Sequence, residues 1–199
     1  MREPDVQSFD RYEADDLRQA LSVLRAGGVI LYPTDTIWGI GCDATNKEAV
    51  KRVYEIKQRE DSKAMLCLID NAGKLQQWVK DVPSMAYDLI ELTTKPLTII
   101  YPNAIDVADN LLATDGSLGI RVTEELFSKA LCSQLRRPLV STSANISGQP
   151  APQNYSQISP EIRNAVDYIV KFRRTDNLRR QPSSIIRLGV NNEVEVIRK

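Results

Sequence analysis

Short apolar runs, VILY at 29–32, AMLCLI at 64–69, PLTIIYP at 96–102, LGIRV at 118–122 and PLVS at 138–141, alternate with stretches whose apolar residues recur every three or four positions. That alternation is the pattern of strands and covering helices, and it predicts an α/β sheet. Further runs, DYIVK, SIIRL and VEVIR, crowd toward the C-terminus, which predicts a mixed rather than wholly parallel sheet. Helices are expected at LRQALSVLRA behind Asp15 and Asp16, at AVKRVYEIKQR capped by Asn46, near 71–80 and 83–92, and near 124–135. No long Gly/Ser- or Pro-rich linker and no internal repeat divides the chain, so residues 1–199 are read as a single domain.

Composition matters here for what it excludes. The chain has no histidine, which removes Ser-His-Asp and Cys-His nucleophiles and histidine metal sites. Cys42, Cys67 and Cys132 are far apart with no CxxC pair, so neither a disulfide framework nor a zinc site is expected. Lys plus Arg and Asp plus Glu both number 26, so no global field recruits nucleic acid or a membrane, although local basic patches are possible. The acidic start, MREPDVQSFDRYEADD, lacks the apolar core of a signal peptide, and no apolar run approaches the ~18 residues of a membrane span. A reduced, cytoplasmic location is expected.

Two of the apolar runs end in segments with more hydroxyls and bare backbone than a turn uses. YPTDTIWGIGCDATN, residues 32–46, packs threonines, aspartates and glycines together, and the surplus points to a small polar ligand. The alternative is turn chemistry alone, with Thr34 and Asp35 bonding their own backbone. GIGCDA also fits GxGxxA with Asp61 downstream, the loosest form of a dinucleotide fingerprint, but Pro33 to Trp38 separate the strand from the first glycine. STSANISG, Ser141 to Gly148, is the second such segment. Between the two, Lys57-Gln58-Arg59 closes a helix, with Lys63 beyond it: a polyphosphate clamp, or a solvated helix end complementing its dipole. No Walker-type GxxxxGK[ST] is present, so a nucleotide site here is of another make.

With these stretches, and with PLTIIYP, GIRV and PSSIIRL, the chain resembles the YrdC/TsaC family, the threonylcarbamoyl-AMP synthases of tRNA modification, over nearly its whole length. The KxR pattern at Lys57 to Arg59 followed by a distant SxN at Ser143 to Asn145 is the specific part of the match. The resemblance implies a YrdC-like twisted mixed sheet with helices packed around it and a large concave surface. It implies condensation of L-threonine, bicarbonate and ATP into threonylcarbamoyl-AMP and pyrophosphate, with Mg²⁺ expected beside ATP through phosphates and water. It assigns catalysis to Lys57, Arg59, Ser143 and Asn145, and nucleotide contacts to Arg59, Lys63, Ser117, Ser141, Asn145 and Arg198. The amino acid falls to Thr36, Lys57, Arg121, Ser143 and Ser183. Arg121 stands alone on an apolar strand, and a buried arginine needs an anion, either a substrate carboxylate or an internal acid. Glu60, Ala64 and Leu68 stand where family members often carry other residues, which bears on amino-acid selectivity. The chain looks like the short form of the family, leaving transfer to tRNA to tRNA threonylcarbamoyltransferase proteins and touching tRNA indirectly or weakly. Lys171 to Arg174 and Arg179-Arg180 read as a solvated loop or as an RNA- or nucleotide-facing lip. A non-catalytic tRNA or double-stranded RNA-binding module of the same fold is the alternative function.

Overall fold

The computed structural model describes residues 11–59, 65–178 and 180–199. In chain order these form α1 (Ala14–Arg25), β1 (Ile30–Tyr32), β2 (Gly39–Gly41), α2 (Lys47–Lys57), β3 (Leu66–Ile69), α3 (Met85–Leu92), β4 (Leu97–Tyr101), β5 (Leu118–Val122), α4 (Leu126–Leu135), β6 (Leu139–Ser143), α5 (Pro160–Ala165), β7 (Tyr168–Ile169), β8 (Ser184–Leu188) and β9 (Val194–Arg198). The strands join in one sheet, ordered β7-β1-β2-β6-β3-β5-β4-β8-β9. The pairs β1 with β7, β3 with β5 and β4 with β8 are parallel and the others antiparallel, so the sheet is mixed, as the crowded C-terminal runs predict.

Three elements depart from expectation. Gly39–Gly41 is a strand, not loop, and lies between β1 and β6. Glycine carries no strand signal, so the pattern hides it. Near 71–80 the chain forms a 3-10 turn, Ala72–Gln77, where Asn71 accepts a hydrogen bond from the Gly73 amide and an early glycine weakens a full helix. The short α5 was not anticipated. Ser159 caps it and Pro160 opens it, a start that needs no long apolar period.

The period-two alternation of the strands sorts their side chains onto two faces. On one face Leu31, Ile40, Cys67, Ile69, Ile99, Tyr101, Ile120, Val140, Ile186 and Leu188 join the larger core, with Ala49, Val50 and Val53 of α2 packed against them. On the other, Ile30, Tyr32, Leu68 and Leu139 meet Leu17, Leu21 and Leu24 of α1 and Phe127, Leu131 and Leu135 of α4. Each such fully buried leucine or isoleucine contributes about 1.5–3 kcal/mol. Those two helices cover only part of this second face. Its remainder is a polar portion that carries Thr98, Arg121, Ser141 and Ser143, with Ser183 and Arg198 beside them.

Candidate active site

A cleft of about 350 Å³ opens over that polar portion, lined by Thr34, Thr36, Trp38, Arg59, Arg121, Ser141, Ser143, Ser183 and Arg198 among others. Its back is β6 beside β2, with Gly39 paired to Ser143 and Ile40 to Thr142. The serine cluster therefore begins inside a strand, and alternation turns Ser141 and Ser143 to the same side. Gly41 of β2 serves close packing rather than a phosphate turn, while Gly39 lines the cleft. A Cβ on Gly41 would fall 2.1 Å from the Val140 carbonyl oxygen and 2.8 Å from the Tyr32 ring, whose hydroxyl donates to that carbonyl. The dinucleotide fingerprint is accounted for by this contact.

The end of α2 sets the cationic pair. Gln58 takes a left-handed φ of +49°, its amide bonding Glu55 and that of Arg59 bonding Tyr54, which reverses the chain after Lys57. Arg59 thereby lines the cleft. Lys57 does not: it is 1% exposed, and its Nζ donates to the carbonyls of Ser143 at 2.5 Å and Asn145 at 2.7 Å. In return the Lys57 carbonyl accepts the Ser147 amide. A solvated helix end is thus ruled out, and KxR and SxN meet across 86 residues of sequence. Burial first, and the charge of Arg59 second, lower the Lys57 pKa to about 8. Burial likewise holds Arg59 below its ordinary value.

Arg121 rises from the middle of β5 with 3% exposure. Its Nε lies 3.6 Å from Asp35 Oδ2, too far for a hydrogen bond, and is buried with no hydrogen-bond partner. Burial lowers its pKa and Asp35 opposes that. Both anions anticipated for Arg121 stay relevant, since an internal acid faces it and the cleft is open to it. Turn chemistry does shape the neighbouring loop: Thr34 Oγ1 donates to the Ile37 carbonyl at 2.7 Å and accepts the Thr36 amide at 3.1 Å. Thr36 Oγ1 lies 3.1 Å from it at the cleft wall. On the opposite wall the Ser183 hydroxyl is 2.9 Å from that of Thr98, and Arg198 donates to the Ser183 carbonyl at 3.0 and 2.7 Å.

A family model described as "Telomere recombination", for the Sua5/YciO/YrdC domain, matches residues 22–199. The chain belongs to this family. The threonylcarbamoyl-AMP synthase of Pseudoalteromonas translucida is 34% identical over 169 residues, covering 83% of this chain and 89% of that one. That of Vibrio cholerae is 31% identical over 174 residues, 86% of this chain and 92% of its own. Among solved structures, E. coli YciO superposes with a TM-score of 0.82 at 26% identity, over 96% of this chain and 91% of that one. P. abyssi Sua5 complexed with L-threonine gives 0.81 at 26% identity, over 90% of this chain and 52% of Sua5.

Of the residues that the family resemblance picks out, Thr36, Arg59, Arg121, Ser141, Ser143, Ser183 and Arg198 converge on the one cleft. Asn145 stands behind its wall with Lys57. Its Nδ2 donates to the carbonyls of Ile146 and Gln149, while its Oδ1 is buried without a partner. Ser117 is not brought to the cleft, because its hydroxyl donates to Asp115 at 2.6 Å and Asp115 in turn binds Arg187. Lys63, with Glu60, Asp61, Ala64 and Arg179, lies outside the described residues. In the basic segment before β8, Arg173 and Arg174 turn inward, while Lys171 is exposed and Arg180 is partly so. Arg173 is buried, donating to Asp176 and the Thr34 carbonyl, and Arg174 donates to the carbonyls of Val170 and Ile169 over the Tyr155 ring. Asp35, which turn chemistry alone would have bonding its own backbone, instead faces Arg121 and the start of α4. The available signal was charge: an aspartate on a site loop and a lone arginine on an apolar strand.

Proposed function

We infer that this protein is an L-threonylcarbamoyladenylate synthase, condensing L-threonine, bicarbonate and ATP into threonylcarbamoyl-AMP and pyrophosphate for threonylcarbamoyladenosine modification of tRNA. The single observation that carries the chemistry is Arg121, a buried guanidinium with an unpartnered Nε at a cleft that also holds Arg59 and the serines of β6. Such a group needs an anion that the fold itself does not bring into hydrogen-bond range. A threonine carboxylate supplies it, with Thr36 and Ser183 on either side.

With the amino acid held there, its neutral amine adds to bicarbonate-derived carbon dioxide, losing a proton, to give a carbamate. A carbamate oxygen then attacks the α-phosphorus of ATP, forming the mixed anhydride as the bond to pyrophosphate breaks. No side chain has to act as a nucleophile, so a chain without histidine is adequate. The work lies in positioning and charge neutralisation. Arg59, with its planar donor fork, suits the phosphates, and Ser141 and Arg198 suit the nucleotide beside them. Lys57 lends charge from behind the wall and fixes Ser143 and Asn145; with two acceptors satisfied, one of its three N–H groups is left over.

Magnesium accompanies the triphosphate. Among the described residues no three Cys, Asp or Glu side chains converge on a metal site, so phosphates and water are its natural ligands. One sheet runs through the described strands, which supports reading residues 1–199 as one domain. None of the described helices is long and apolar enough to cross a membrane, and a cytoplasmic place with tRNA threonylcarbamoyltransferase proteins as onward partners fits the reaction. RNA binding without chemistry is not favoured, because two arginines of its basic lip, Arg173 and Arg174, are spent on internal contacts.

The test is pyrophosphate release by the purified protein. Release should require threonine, bicarbonate and ATP together, and Arg59→Ala should slow it by about a hundredfold or more. Release indifferent to threonine overturns the synthase assignment.

A further inference from the structure

Asp35 sits between Thr34 and Thr36 yet does not line the cleft; it borders a separate groove of about 540 Å³. One segment supplies three donors to its carboxylate. Thr123 Oγ1 lies 2.6 Å from Oδ2, and the amides of Glu124 and Glu125 lie 2.8 and 3.0 Å from Oδ1. Thr123 is itself fully buried, its hydroxyl 2.8 Å from that of Ser128. Held in this way, Oδ2 stops 3.6 Å from Arg121 Nε, inside Coulombic reach and outside hydrogen-bond distance.

A carboxylate free to move would close that gap and take the guanidinium in a paired, two-bond contact. That contact would use two of the five guanidinium N–H groups, and with them the Nε edge that a substrate carboxylate grips as a pair. We propose that Asp35 is a positioning residue for the amino-acid subsite: restrained by Thr123 and two amides, it steadies Arg121 by charge while leaving its N–H groups for a substrate carboxylate. The proposal rests on the synthase reading. Because Thr36 follows Asp35 directly and lines the same cleft as Arg121, the one restrained carboxylate also sets the spacing between two contacts to a small molecule.

The experiment measures binding of L-threonine and of L-threoninol, which lacks the carboxylate, to the parent, Asp35→Asn, Thr123→Val and Thr123→Ser. ATP binding and a melting curve accompany each. The parent should favour threonine over threoninol by about a hundredfold, the worth of a paired contact to a charged group. In Asp35→Asn this preference should fall about tenfold while threoninol and ATP affinities stay within about twofold. Thr123→Val, which frees the carboxylate to close on Arg121, should lower the preference by about three- to tenfold, and Thr123→Ser should restore it. A role confined to capping α4 predicts a lower melting temperature with the preference unchanged, and that result overturns the proposal. So does a preference that rises in Asp35→Asn, which would make Asp35 a competitor of the substrate. Should Asp35→Asn fail to fold, the Thr123 pair decides alone. A parent with no preference for threonine removes the subsite and Asp35 with it, whereas a parental preference that the variants keep removes Asp35 only.

Discussion

Arg121 and Arg173 are both buried, and each faces an aspartate, yet their surroundings differ in kind. Around Arg173, Asp176 accepts from Nε at 2.9 Å and lies 2.8 Å from a second nitrogen, the Thr34 carbonyl accepts at 3.2 Å, and Glu125 lies 3.4 Å away. The guanidinium fork is filled. Around Arg121, among the described residues, there is one anion at 3.6 Å and no hydrogen bond to Nε. Full satisfaction marks a strut: Arg173 ties the segment before β8 to the threonine-rich loop. Incomplete satisfaction beside a cleft is what the ligand-binding role proposed for Arg121 requires. Burial alone does not separate the two roles, and the hydrogen-bond inventory does.

The largest expected effect tests the strut. Arg173→Met leaves Asp176 and Glu125 buried without their main cation, and breaking such a network costs about 3 kcal/mol. Urea unfolding should show that loss, with threonine affinity falling no more than about threefold. If stability holds and threonine binding collapses, the two arginines have been assigned the wrong way round.

The matched substitution, Arg121→Met, should do the reverse. Removing a buried guanidinium that lacks hydrogen bonds relieves a desolvation cost, so stability should change by less than about 1 kcal/mol. Threonine affinity should fall by about a hundredfold, with ATP binding in the absence of threonine little altered. Titration of each ligand beside the unfolding curve checks this. Equal losses for both ligands together with a drop in stability would return Arg121 to the core.

The contrast between the arginines was only half legible in the sequence. LGIRV and SIIRL become β5 and β8 with the expected bounds, because alternating or apolar β-branched runs report their own burial. A lone arginine in such a run is conspicuous, so Arg121 stood out. Arg173 did not, since a run of basic residues looks solvated, and the groups that bury it are a backbone carbonyl 139 residues away and an aspartate in the next turn. The surroundings of Lys57 are hidden for the same reason. Its acceptors are carbonyls of a segment distant in sequence, and a lysine at a helix end gives no sign of them. Side-chain periodicity reads faces, whereas these contacts depend on where loops carry backbone oxygens.

Lys57 lies between the two arginines in character, satisfied by carbonyls but with no anion beside it among the described residues. That makes it the subtlest test of the contrast. Burial and Arg59 bring its pKa from 10.5 to about 8, so between those values the unfolded chain holds a proton that the folded chain has released. The state that binds fewer protons gains as pH rises, and here it is the folded one. Parent stability relative to Lys57→Met should therefore be flat below about pH 8 and climb from there to pH 10.5. Taking the difference between the two proteins cancels the titration of groups they share. Urea unfolding at several pH values on either side of 8 measures it. A difference that stays constant across the window would mean that the two carbonyls hold the ammonium as firmly as an anion would, placing Lys57 with Arg173 among the struts.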